Sequence, residues 1–173
     1  MDATQIALRI TAALAFGALV GIERERKRRP AGFRTMILVS LGSAAFMIIA
    51  HELFRVPAGH PQPIDPDNPA TALIASSDIS RVLQGLIGGI GFIGAGAVIQ
   101  NKRSVRGLTS AAAIWVTAAI GAACGLGLFT VAAIVALATL FTLIILELVE
   151  ARVFPDAIND DTTPQKPTPS STN

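Results

Sequence analysis

Hydrophobic positions dominate this chain in long runs, with the polar positions gathered between them. From Gly107 to Leu146, 40 consecutive residues contain no Asp, Glu, Lys or Arg. A single helix of that length would reach ~60 Å, about twice the ~30 Å hydrocarbon core of a bilayer. The run must therefore turn back, and Cys124-Gly-Leu-Gly127 supplies the glycine pair near its middle. Three further apolar runs lie upstream. Ala3–Ile22 is interrupted by Thr4, Gln5, Arg9 and Thr11, Thr35–Ala50 is the shortest, and Val82–Ile99 carries Gln84 as its strongly polar residue. The pattern predicts five transmembrane helices, at about 3–22, 35–52, 80–100, 107–124 and 128–148.

A soluble helical bundle would instead show charges recurring every third or fourth residue along each helix. These runs lack such a polar face. A cleaved signal peptide carries its positive charges before the apolar run, whereas here they follow it, so the first helix is expected to be retained. The fold class read from the chain is an all-α integral membrane protein. Its membrane domain covers residues 1–150, and a disordered, Asp/Thr/Pro/Ser-rich tail covers 151–173.

Charge sets the orientation. Arg24, Arg26, Lys27, Arg28, Arg29 and Arg34 lie between helices one and two; Lys102, Arg103 and Arg106 lie between three and four; Arg152 and Lys166 follow five. Eleven of the 14 basic residues thus share one side, leaving Arg9, Arg55 and Arg81 for the other. Basic residues in short loops remain cytoplasmic, which predicts the N-terminus outside and the C-terminus inside. The net charge of +2 does not suit nucleic-acid binding.

The long external connection, 51–78, holds Pro57, Pro61, Pro63, Pro66 and Pro69 and reads as an extended spacer. Asp65 and Asp67 could instead make it a cation-collecting lip. His51 and His60 lack the spacing of a metal site, so no metal centre is expected from them. A lone cysteine, Cys124, excludes an internal disulfide and reads as a small packing residue. Ser77 or Asp78 is expected to cap helix three, with Arg81 one turn in, lining an outer cavity or reaching the headgroups.

The run Gly85–Gly96 formally contains G-x-G-x-x-G, but it lies inside an apolar helix and not between a strand and a helix. Its chemistry is therefore packing, since small residues let membrane helices approach closely. Gly17, Gly21, Gly85, Gly89, Gly91, Gly94, Gly96, Gly121 and Gly125 are the expected contact points, within one chain or between protomers. The glycine-rich third helix is expected at the centre of the bundle.

Five stretches in order carry a resemblance. They are Gly21-Ile-Glu-Arg24, Pro30-Ala-Gly-Phe-Arg-Thr35, Leu38-Val-Ser-Leu-Gly-Ser43, Gly89-Ile-Gly-Phe-Ile-Gly-Ala-Gly96 and Val105-Arg-Gly-Leu-Thr-Ser-Ala-Ala112. Over about residues 5–150 the chain resembles the MgtC/SapB family of bacterial inner-membrane proteins. The resemblance implies a five-helix membrane domain and an association with growth in low magnesium, generally as a regulator. The MgtC branch adds a soluble C-terminal domain and has asparagine where this chain has Thr109, so the chain looks closer to short SapB-like members.

Alternate threading brings Glu23, Arg24, Arg34, Thr35, Arg106 and Thr109 to the cytoplasmic membrane face. There Glu23 is expected to pair with Arg34 or Arg106, and Thr109 to cap or bridge helices. Such a cluster reads either as a structural salt bridge or as a docking or gating site. The function expected is a regulator or modulator of ion homeostasis working through helix contacts. A magnesium or cation transporter or channel subunit is the alternative, and a membrane scaffold the third. No nucleophile–base pair or phosphate loop supports catalysis, and no cofactor is expected, magnesium being open as a ligand or signal. The partners expected are the lipid bilayer, other inner-membrane proteins and further copies of the chain.

Overall fold

The computed structural model describes residues 1–55, 69–101, 104–146 and 152. Met1–Leu140 form one packed unit; beyond it, the described residues form a π-helical turn, Thr142–Leu146, and include Arg152. The elements are α1 (Ala3–Arg26), α2 (Phe33–Arg55), α3 (Pro69–Gly96), β1 (Ile99–Asn101), β2 (Ser104–Arg106), α4 (Leu108–Leu126) and α5 (Phe129–Phe141). Among the described residues, four segments are long and apolar enough to cross a membrane: Ala3–Arg26, Phe33–Leu53, Ile79–Gly96 and Leu108–Leu126. Phe129–Ile145 is shorter, and the end of the fifth helix expected at 148 lies outside the described residues. The tail from 153 and the prolines between 57 and 66, with His60, Asp65 and Asp67, lie outside them as well.

The three helices α1, α2 and α4 pack on one another, and α3 leans on α2 and α4. The α2–α4 seam is regular. Met36 meets Thr117, Ser40 meets Gly121 and Ala44 meets Gly125, each pair four residues beyond the last. Two helices that advance together in this way run parallel. A Cβ on Gly121 would overlap the carbonyl oxygen of Ser40, and one on Gly125 would lie 2.5 Å from that of Ala44. On the other flank of α2, a Cβ on Gly17 would lie 2.8 Å from the Ser40 Cβ, and one on Gly21 would lie 2.9 Å from the Phe33 backbone. Ser40 therefore sits where three helices meet, and its hydroxyl donates to the carbonyl of Ala13 at 2.7 Å. Backbones this close maximise dispersion contacts where lipid supplies no hydrophobic drive.

The core is correspondingly small-sided, built on Ala13, Val20, Met36, Ala44, Met47, Ile120 and Cys124. The large apolar side chains point outward instead: Leu38 is 68% exposed, Leu137 64% and Phe92 80%. That inversion suits a protein whose outer surface faces hydrocarbon.

Two expectations about α3 need correction. It is peripheral, because α2 and α4 occupy the centre. Among the described residues, nothing lies within 4 Å of a Cβ built on Gly85, Gly89, Gly91 or Gly96, and only Ala111 approaches Gly94. The packing of α3 includes an aliphatic contact: Val82, Leu83 and Leu86 rest on Met47, Ala50 and Ala122. The helix also starts earlier than read, at Pro69, so Ser77 and Asp78 lie inside it and not at its N-terminus. Proline is favoured in a first helical turn, where a missing N–H costs no bond, and that outweighs the loop signal it carried in the sequence.

After Gly96 the chain leaves the helix for an antiparallel hairpin, with Ile99 opposite Arg106 and Gln100 opposite Val105. Gly107 then turns with φ +89°, where a Cβ would overlap the Ala97 carbonyl oxygen. The α4–α5 turn falls at the predicted glycines. Gly127 adopts φ +80°, its N–H bonds the Cys124 carbonyl at 2.9 Å, and the Leu128 N–H bonds that of Ala123 at 2.8 Å. That double closure satisfies the last α4 carbonyls.

Candidate functional site

The most unusual side chain in the structure is Arg24, a guanidinium only 2% exposed in the last turns of α1. A charge withdrawn from water at a membrane face must be repaid by hydrogen bonds or counter-charge. Its Nη2 donates to Ser110 Oγ at 2.6 Å, across to the first turn of α4, where Ser110 is itself buried. Beside it Glu23, 8% exposed, accepts an ion pair from Lys27 at 3.0 Å. Its second oxygen, Oε2, is buried without a hydrogen-bond partner among the described residues. One buried carboxylate with spare acceptor capacity therefore lies next to a buried guanidinium.

Arg9 mirrors this arrangement at the other end of α1. Its Nη1 donates to the carbonyl of Gly125 at 2.6 Å, and its guanidinium lies against Gly127. A cation at the C-terminal end of α4 meets the negative pole of the helix dipole. The two anchors are matched in length. Arg9 to Arg24 is 24 − 9 = 15 residues on α1, and Ser110 to Gly125 is 125 − 110 = 15 on α4. Both spacings correspond to ~22 Å of helix, so α1 and α4 run antiparallel and are fastened at both ends.

Four of the sequence-derived candidates fall into two places, and Arg81, Arg106 and Thr109 lie outside both. Glu23 and Arg24 lie in this buried seam. Arg34 is exposed and Thr35 half-buried in the first turn of α2, where both line an open cavity of about 720 Å³ with Glu25, Arg26, Arg29 and Phe33. Arg106, on β2, and Thr109 are exposed, and Arg81 is exposed on α3. The ion pair of Glu23 is thus with Lys27, one helical turn on, and not with Arg34 or Arg106 across the loop. The nearer partner needs no second helix to hold it. Thr109 faces outward, and the helix-bridging hydroxyl is that of Ser110, one position later.

Three functional-looking contacts escaped the sequence reading. Ser110 and Ser40 are buried hydroxyls on mostly apolar faces. Glu25 accepts the Phe33 N–H at 3.0 Å and so closes the α1–α2 loop by satisfying a donor at the α2 N-terminus. Ser110 had a legible signal. Ser110, Ala113, Thr117, Ile120 and Cys124 recur at helical spacing, which is the buried stripe of α4.

Among the described residues, no three His, Cys, Asp or Glu side chains converge on a point that could hold a metal ion. His51 is half-buried, its Nδ1 3.8 Å from Glu52 Oε1. Cys124 is fully buried in α4.

Comparison with known proteins adds the following. The sequence pattern of the MgtC family matches residues 10–152. Protein SrpB of Synechococcus elongatus is 40% identical over 146 residues, covering 80% of this chain and 72% of SrpB. Protein MgtC of Salmonella typhimurium is 37% identical over 122 residues, covering 70% of this chain and 44% of that protein. The Escherichia coli protein named putative magnesium transporter YhiD is 39% identical over 129 residues, covering 75% of this chain and 54% of its own length. The chain therefore spans about half the length or less of those two relatives. No solved structure matches it.

Proposed function

Because the chain belongs to the MgtC family, we propose that it is a multi-pass protein of the bacterial inner membrane that modulates magnesium-linked ion homeostasis through contacts between helices. In this reading the N-terminus is outside, five helices thread the bilayer, and the protein is not an enzyme. The antiparallel α1–α4 pair and the parallel α2–α4 pair are consistent with that alternation. The link to magnesium comes from the names of MgtC and YhiD.

The observation that carries the modulator reading is the closure at Ser40. Backbone-close contacts from Gly17 and Gly121 fill the middle of the α1–α2–α4 bundle. Magnesium is normally held by one or two carboxylates with retained waters, and it gives up those waters reluctantly. The buried carboxylate among the described residues is Glu23, at the end of α1 and already paired with Lys27. A bundle bolted at both ends and closed in the middle suits a protein that presents surfaces to partners.

The second reading, transport, is favoured by the name of YhiD. An assembled route would then run between copies of the chain and not through one. Flux into proteoliposomes separates the two. Purified protein without saturable magnesium uptake is the result expected, and saturable uptake reverses the ranking. Growth of a deletion strain at limiting magnesium, complemented by wild type or by Glu23→Gln, tests the modulator. Rescue by wild type but not by a stably folded Glu23→Gln protein is expected. Wild-type growth of the deletion strain itself would refute a link to magnesium.

A further inference from the structure

The open cavity at the α1–α2 loop does not coincide with the buried seam. It opens between the last turns of α1 and the first turn of α2, with a volume of about 720 Å³. Arg26, Arg29 and Arg34 line it and Glu25 is its acidic member, so its formal charge is 3 − 1 = +2. Glu25 is already engaged by the Phe33 N–H, which directs that carboxylate into the loop closure. Met36 N–H bonds the Gly32 carbonyl at 3.1 Å. The amides of Arg34 and Thr35 then remain as first-turn donors at the positive end of α2, on the cavity wall with the Thr35 hydroxyl. The remaining wall is apolar: Ile22 is 48% exposed, Phe33 36%, and Pro30 adjoins them. A cationic floor with an apolar rim at the end of two membrane helices has the chemistry of a lipid phosphate, charged at one side and hydrocarbon at the other.

We propose that this cavity is a binding site for a phosphate group, and specifically for the phosphodiester of an anionic phospholipid, held by Arg26, Arg29 and Arg34 with the amide end of α2. Arginine suits the task because its planar fork donates two parallel hydrogen bonds to phosphate oxygens. A soluble phosphate could satisfy the same donors but would leave Ile22 and Phe33 uncovered. The proposal is independent of the modulator reading, since it assigns a ligand to the loop and not a task to the bundle.

The test uses the full chain in nanodiscs. Phosphatidylglycerol is titrated into phosphatidylcholine, and the mole fraction giving half the rise in unfolding temperature is read for wild type and for Arg26→Gln/Arg34→Gln. Both replaced side chains are exposed, and unfolding in pure phosphatidylcholine reports whether the variant is folded. The variant is expected to need about 30-fold more anionic lipid, about 2 kcal/mol at 1.4 kcal/mol per decade, since a hydrogen bond to a charged group contributes ~1.5–3 kcal/mol and generic surface attraction is common to both variants. Arg28→Gln/Arg152→Gln removes the same charge from exposed residues outside the cavity and is expected to lose less than three-fold. An equal loss in both variants would reduce the effect to surface charge and overturn the proposal, as would a titration unchanged by Arg26→Gln/Arg34→Gln. Inorganic phosphate added to pure phosphatidylcholine discs distinguishes the sources. No stabilisation at millimolar concentration supports the lipid, whereas stabilisation abolished by Arg26→Gln/Arg34→Gln would move the site to a soluble phosphate and overturn the lipid assignment.

Discussion

Arg24 reaches from the end of α1 to hold the hydroxyl of Ser110 at 2.6 Å, joining two residues 86 positions apart inside the protein. A buried cation is costly when a partner is removed and much less so when the charge goes too. Ser110→Ala is therefore expected to destabilise the protein by about 1–2 kcal/mol, above the ~0.6 kcal/mol average for interhelical bonds in membranes. Arg24→Met/Ser110→Ala is expected to be more stable than Ser110→Ala alone. Thermal unfolding of the three proteins in one detergent checks the order.

Glycine substitutions should divide sharply. Gly121→Ala places a methyl into the Ser40 carbonyl, backbone against backbone, and is expected to cost about 1–3 kcal/mol. Gly89→Ala meets nothing within 4 Å among the described residues and is expected to leave monomer stability within about 0.5 kcal/mol. Size measured in detergent then adds a second reading. A change in oligomeric state in Gly89→Ala without a change in stability would mean that α3 uses this face between copies.

At the opposite end of α1, Arg9→Gln removes a charged donor from the Gly125 carbonyl. The expected loss is about 1.5–3 kcal/mol. If Arg9 only reached for lipid headgroups, the unfolding temperature would not move.

The single thiol offers a probe of the whole bundle. Cys124 is fully buried, so a membrane-permeant maleimide is expected to label it only as the protein unfolds. Its labelling should follow the unfolding curve of wild type and shift to lower temperature in Gly121→Ala. Rapid labelling of the folded protein would contradict the packing at Gly125 and Met47.

The helices were largely legible in the sequence because hydrocarbon length and charge exclusion act on each segment independently. Contacts were legible only where one helix's stripe determines them. Gly17/Gly21, Gly85/Gly89 and Gly121/Gly125 share the same spacing, yet the first and last meet backbone while the middle pair meets none among the described residues. Spacing states what could approach, and the partner helix decides what does. The buried arginine illustrates the reverse. Arg24 stands among Arg26, Lys27, Arg28 and Arg29, indistinguishable by charge, but it continues the phase of Arg9, Ala13, Gly17 and Val20 along one helical face. That phase would have singled out both anchors of α1. The start of α3 was hidden for another reason, since Pro69 serves equally as the end of a loop and the opening of a helix.

Two equal rulers clamped at both ends cannot slide past each other without releasing both clamps together. The α1–α4 pair is such a couple, and α2 is keyed into it along its length. The contacts of α3 are of another kind: Val82, Leu83 and Leu86 rest on Met47, Ala50 and Ala122, so it can tilt at a smaller cost than the other three, which move as a single body.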